Sequence, residues 1–404
     1  MYNIKENLYI YHHQSNDPLK PGDIPDSVTN VDLGFSFNQP LKPGDIPNSV
    51  THLTLSTNLD YEIKPNIIPN SVIDLTFGRK YSHSLQPKVI PNSVLHLDFG
   101  EYNQRLEPGS IPNSVTRLFF GSRYNHPLEP GIIPDSVTIL NMGESFDQSL
   151  KLGDIPNSVI CLKFRIFDHP LEPGYIPNSV KYLDFGYYFD KVLKPGDIPD
   201  SVNFLYMGYN FNQPLEKGVV PNSVIHLDLG SHFNQPLKLG DIPNSVTHLT
   251  FGDFFNQPLK SGIIPNSVTH LAFGRNFNQP LKPGDIPNSV THLLFGWYFS
   301  QFLGTQKCEK QFLEYFPDSV IYISLRDNYE YLENISDSIF INIDTKLDMH
   351  QCTRTYNKWT ISSCKYFEDN TRNRDIFISK INSSILDSIP IELLFYLLEY
   401  SPLE

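Results

Sequence analysis

With 404 residues, 40% of them hydrophobic, the chain can bury a sizeable core, and its net charge of −13 argues against a nucleic-acid backbone or an anionic membrane as partner. Four cysteines (Cys161, Cys308, Cys352, Cys364) with no C-x-x-C pair argue against a disulfide scaffold or a zinc ribbon and point to a reducing compartment, the cytosol. No apolar run approaches the ~18 residues of a membrane-spanning helix, and residues 1–14 lack the apolar core of a signal peptide.

Residues 1–15 read as an N-terminal cap. An incomplete first repeat follows (Pro18, Leu19, Pro21, Gly22), and then the motif Ile-Pro-Asn/Asp-Ser-Val recurs thirteen times, from Pro25 to Pro287, with Val220 in place of Ile in the Pro221 copy. The spacing is 22 residues with two gaps of 21. A period that strict predicts a stacked array over 16–300, in which each turn touches only its neighbours. Counted from the proline, apolar residues fall at +3, +6 and +8, as in Val246, Leu249 and Phe251. Residues two apart point to the same face of a strand. The reading is therefore a short strand over +5 to +8, closed by glycine at +9. The other half of each repeat carries up to three prolines, and each interior proline costs a helix about 3 kcal/mol. That half should be extended or turn-like. Thirteen strands at ~4.8 Å give a parallel sheet roughly 60 Å long.

Four residues after the glycine stands a short polar side chain, such as Asn212, Asn234, Asn256 and Asn278. A buried turn leaves backbone groups without partners, and a ladder of such side chains would satisfy them. One repeat cannot fold alone, because ordering its backbone costs more than its few apolar side chains return. Stacking must supply the rest.

The outward strand positions, +5 and +7, would line a concave face. Six histidines stand at +5: His52, His96, His226, His248, His270 and His292. The last four are consecutive, so their rings should stack about 4.8 Å apart. At +7 stand Asp32, Asp98, Asp184 and Asp228, among threonines. These columns read as a protein-docking stripe, a pH-sensitive face, an adventitious metal site, or duplicated solvent-exposed residues with no selected role. A straight row of rings is a poor match for the tetrahedral cage of structural zinc, so no metal and no cofactor are assigned. Protonation below about pH 6.5 would crowd like charges along the ladder. The middle repeats break the pattern and place Tyr182 and Phe204 at +5 and Tyr206 at +7. That aromatic cluster is either a binding hot spot or cross-strand packing. No catalytic triad, P-loop, paired carboxylates or H-E-x-x-H is present, so the reading is non-enzymatic.

Beyond Ser300 the period fails, and 301–350 read as degenerate repeats and a C-terminal cap. Pro317-Asp318-Ser319-Val320, with Ile323 and Leu325, is a fourteenth copy after a gap of 30 residues. Ser336-Asp337-Ser338-Ile339 echoes a fifteenth, with its alternation off by one. Residues 351–380 carry no readable pattern. Near 385–404, Pro390 opens an amphipathic helix whose Ile389, Leu393, Leu394 and Leu397 share a face.

The pattern F-N-x-P-L-x-x-G-x-I-P-x-S-V-x-x-L-x-F-G resembles the FNIP repeat family, a relative of leucine-rich repeats. Phe233, Asn234, Pro236, Leu237, Ile242, Pro243, Ser245, Val246, Leu249 and Phe251 match it outright. The resemblance implies a curved solenoid for protein interaction, with no catalytic residues to carry over. Such proteins are abundant in amoebae and in large viruses that infect them, which implies a cytosolic or host-cytosolic location. They are often joined to an F-box, and no F-box precedes the array here. In the tail, Ile389, Pro390, Glu392, Leu393 and Leu394 are similar to an F-box opening, in about half the length that domain needs. That implies docking of Ile389, Pro390, Leu393 and Leu394 onto a Skp1-type adaptor of a cullin ubiquitin ligase. The alternative is a helix that folds back to cap the array, in a scaffolding protein with no ubiquitin link.

Overall fold

A computed structural model describes residues 15–299 continuously, with 3–5 and 8–10 before them and 317, 319, 320, 322–326, 341–344, 350–355 and 358–363 after them. The tail helix near 385–404, with Ile389, Pro390, Leu393 and Leu394, lies outside the described residues. Among the described residues every regular element is a strand, and no helix is long and apolar enough to cross a membrane.

Strands β1 (Asn3–Lys5) and β2 (Leu8–Ile10) form an antiparallel pair at the N-terminal end. Each of the thirteen motif copies then contributes one strand, from β3 (Asn30–Asp32) through β12 (His226–Asp228) and β13 (His248–Thr250) to β15 (His292–Phe295). From β2 onward each strand pairs parallel to the next, in a sheet of 17 strands. The register is the repeat itself: His226 faces His248, Leu227 faces Leu249 and Asp228 faces Thr250. The sheet continues into β16 (Tyr322–Arg326), where Ile323 faces Leu293, and into β17 (Ile341–Asp344). Ile341 faces Ile323, one motif position early, which matches the slipped alternation of the last copy. A separate antiparallel pair, β18 (His350–Thr355) and β19 (Lys358–Ser363), lies in the stretch with no readable pattern.

The core takes one side chain per repeat from each of several fixed positions. In one copy Val246, Leu249, Phe251, Phe255 and Leu259 are all buried, and Ile264 of the next copy joins them. The aromatic at +12 has no assigned role in the sequence pattern, yet Phe211, Phe233, Phe255 and Phe277 form a continuous buried column.

Polar ladders run beside this column. The Asn256 amide donates to Asn234 Oδ1 at 2.9 Å, and the Asn278 amide donates to Asn256 Oδ1 at 2.9 Å. Gln257 Nε2 also donates to Asn234 Oδ1, at 3.1 Å. Aspartate serves equally, since the Asn212 amide donates to Asp190 Oδ1 at 2.9 Å. The motif serine builds a second ladder, in which Ser267 Oγ donates to the Val246 carbonyl of the preceding turn at 2.7 Å. Each rung satisfies a backbone group that the proline-rich half cannot pair within its own turn.

Crowding between turns favours glycine at +9, which only Ser56 and Arg165 replace. A Cβ on Gly252 would lie 1.8 Å from the Gly230 carbonyl oxygen. Gly230 also has φ of 84°, and its amide donates to Asp228 Oδ1 at 2.8 Å.

Curvature follows from ring spacing. Successive histidine rings on the outward face lie 4.0, 4.2 and 4.3 Å apart. Equivalent rings just inside the sheet, Phe251, Phe273 and Phe295, are 5.2 Å apart. The deeper column of Phe211, Phe233 and Phe255 has spacings of 6.1 and 6.2 Å. In these later turns the outward rings stand closer together than the interior ones, so the outward face there is concave.

The ladder gives a direct test. Asn234→Ala leaves the Asn256 amide unpaired and is expected to cost about 1–3 kcal/mol, whereas Asn234→Asp should be nearly neutral at pH 7. Urea denaturation of both variants checks this; equal losses would mean that the side-chain oxygen is not what the turn requires.

Candidate interaction face on the concave sheet

Because each of these short strands alternates inward and outward, +5 and +7 are the side chains it presents to the concave side. The structure brings Tyr182, Phe204, His226, His248, His270 and His292 into one column of rings. Phe204 stacks on His226 at 4.5 Å and 16°, and the four histidines follow. The predicted 4.8 Å spacing is too large for them, because the inward bend draws the rings together.

Hydrogen bonds fix ring orientation. The Thr269 hydroxyl lies 3.2 Å from the Thr247 carbonyl and 2.9 Å from His270 Nδ1. Only the hydroxyl can donate to the carbonyl, so in the neutral ring Nδ1–H donates to Oγ1. Thr247–His248 and Thr291–His292 repeat the contact, each at 2.9 Å. Ile225 precedes His226 and offers no hydroxyl, and His226 Nε2 is buried without a partner. Burial, reinforced by neighbouring histidines, holds His226 near pKa 4 and His248 near 3, against an ordinary 6.5. These two rings are thus neutral at pH 7. Parallel rings send their lone pairs side by side instead of toward a common point. Among the described residues no group of three or more His, Cys, Asp or Glu is arranged to hold a metal.

The aspartates at +7 act locally. Asp228 caps the Gly230 amide, and burial pushes its carboxyl up to about 6. Asp184 caps Gly186 at 2.8 Å and is also raised, chiefly by burial. Sequence reasoning places these carboxylates among candidate docking groups and misses the cap. Its signal is legible, as Asp or Asn at +7 precedes a +9 glycine in Asp32, Asp98, Asn141, Asp184 and Asp228.

The aromatic cluster divides. Tyr182 and Phe204 are 7% and 9% exposed and join Ile139 and Cys161 in a small second core on the concave side. For these two, cross-strand packing is the structural role. Lys163 Nζ sits 5.1 Å from the Tyr182 ring centroid, and burial pushes the Cys161 thiol up to about 12, which makes it unreactive. Tyr206, whose ring lies 5.4 Å from that of Tyr182, stays 38% exposed and is the cluster's accessible member.

A family profile described as FNIP Repeat matches residues 16–58, 60–101, 102–145, 146–188, 189–232, 233–276 and 277–304. Among solved structures, the chain is similar to CroV588, described as a novel circular LRR protein, with 35% identity and a TM-score of 0.71. The match covers 78% of this chain and 45% of that one, so this chain spans less than half of its neighbour's length. No curated protein matches.

Stability should follow the shifted groups. His226 and His248 fold with lowered pKa values, so their contribution is intact above pH 6.5 and is lost as pH falls from there toward 4. His248→Phe, which keeps a stacking ring as Phe204 does, should shrink the drop in urea midpoint between pH 7.5 and 5. Asp228 has the opposite sign: its raised pKa makes its contribution fade as pH rises from 3.8 through about 6. Asp228→Asn retains the cap, as Asn141 does for Gly143 at 3.0 Å. It should raise the midpoint above pH 6 and do nothing near pH 3.5. Midpoint curves parallel to the parent's would remove both assignments.

Proposed function

Starting from a chain that belongs to the FNIP repeat family, we propose that it is a non-enzymatic, cytosolic interaction protein whose concave sheet receives a protein partner. The observation that carries this reading is where the repeat relaxes. Core and ladder positions are nearly invariant from turn to turn. The outward positions instead change from copy to copy in the middle repeats, where Ile139, Cys161, Tyr182 and Phe204 are buried and Arg117, Phe119 and Tyr206 stay at least partly open to a partner. Variation on a regular scaffold is where partner specificity resides. The leucine-rich-repeat likeness of the solved neighbour supports the same use of the fold.

The finer proposal is that the chain is the substrate-recognition subunit of an SCF-type ubiquitin ligase. In that role Ile389, Pro390, Leu393 and Leu394 would contact a Skp1-type adaptor while the sheet holds the target. Its support is the similarity of that segment to an F-box opening. The test is a pulldown from cytosol with the full chain and with a 1–384 truncation, probed for the adaptor. Retention by the full chain alone is expected. If both chains fold and neither retains the adaptor, what stands is an interaction scaffold with a capping tail and no ubiquitin role.

A further inference from the structure

A second exposed feature lies outside the concave columns, at +10 and +11, where the chain turns away from the strand. Over the later repeats this turn carries aromatic residues open to solvent. Tyr209 is 46% exposed, Phe254 45% and Trp297 41%. They form a ridge instead of isolated rings: Tyr187 stacks on Tyr209 at 5.6 Å, Tyr209 meets His232 at 4.8 Å, and His232 stacks on Phe254 at 4.5 Å. The interior column at +12 is one residue away, so folding does not require an aromatic here; Ser122 and Glu144 occupy the same turn in earlier copies.

The chain's own cations mark both ends of this ridge. The Arg165 guanidinium lies 4.4 Å from the Tyr187 ring centroid, and that of Arg275 lies 5.4 Å from the Trp297 ring. Between them the turns read Tyr209-Asn210, Ser231-His232 and Asp253-Phe254, with no lysine or arginine. Carboxylates take their place. Asp184, Asp228 and Asp253 are close enough for the outer two to oppose ionisation of the central one. Exposed aromatic rings beside carboxylates attract a cation from outside, through the ring quadrupole and through charge.

We propose that this ridge docks an arginine- or lysine-bearing segment of a partner protein, with its cations seated on Tyr209 and Phe254 and its charge matched by Asp228 and Asp253. The cation-on-ring contacts at Arg165 and Arg275 are the internal version of the same contact. The proposal rests on the interaction role above and adds a docking surface along the rim of the concave sheet.

The probe is a fluorescein-labelled nona-arginine peptide, titrated with the full chain at physiological salt and followed by anisotropy. The native chain is expected to bind it, and to bind nona-glutamate and nona-proline far more weakly. Tyr209→Leu with Phe254→Leu keeps net charge and apolar bulk and removes both ring faces. This pair should weaken binding about tenfold at an unchanged melting temperature, and Asp253→Asn should weaken it several-fold. Should the leucine pair prove unstable, Tyr209→Gln and Phe254→Gln, tested singly, replace it. Undiminished affinity in the ring variants would assign binding to diffuse negative charge and overturn the proposal. Equal affinity for nona-proline, or no affinity for nona-arginine, would overturn it as well. Failure here with adaptor or target capture intact would remove the ridge and leave the interaction role standing.

Discussion

Each turn of this solenoid has a short strand and a long proline-rich return, so it cannot satisfy its own backbone. Proline removes donors, and the return segment has no helix or sheet of its own in which the remaining groups can pair. The next turn must supply the partners. Asn234 does this for the Asn256 amide, and Ser267 does it for the Val246 carbonyl. Each such bond is worth only about 1 kcal/mol net, but leaving its group buried and unpaired costs more. The rungs, together with strand pairing, therefore fix the register of every turn on the one before. The near-constant 22-residue period is a consequence: a residue added or lost between the rungs would misplace them. Both 21-residue repeats drop their residue between the strand and the asparagine ladder, where the chain can tighten without shifting either.

Once the turns are locked in register, side-chain bulk sets the bend. The Phe column at +12 holds turns about 6.1 Å apart deep in the stack, more than the ~4.8 Å of paired strands. The concave side must close up by compensation. The histidine rings consequently approach to 4.0–4.3 Å, a spacing suited to neutral rings, since a charged stack so close would be both desolvated and self-repelling. Packing against Ile139 and Cys161 buries Tyr182 and Phe204 on the same face. A face that a strand-level reading treats as solvent-exposed thus becomes a second, shallow core in its middle, and Tyr206 remains accessible there.

Much of this is legible from residue spacing. Strand position, parallel pairing, the polar ladder and the absence of helix in the return segment all follow from a period-2 apolar pattern interrupted by prolines. The serine ladder, the Asp228 cap and the aromatic ridge escape a reading of spacing, although their residues stand at fixed places. A hydroxyl next to a core valine has many local partners in principle. Only the stacked geometry shows that Ser267 reaches back a whole turn. Aspartate at +7 looks like a surface charge until the turn behind it places the Gly230 amide 2.8 Å away.

The sequence by itself determined the unit: its length, its strand, its buried face, and the need for neighbours, because these depend on residues close together in the chain and on hydrophobic period. Tertiary structure alone decided the curvature, and with it which outward side chains are buried, which are neutral and which remain open to a partner. Those properties depend on the difference in advance per turn between the two sides of the stack. That difference is summed from packing contacts about 22 residues apart, and no single repeat contains it.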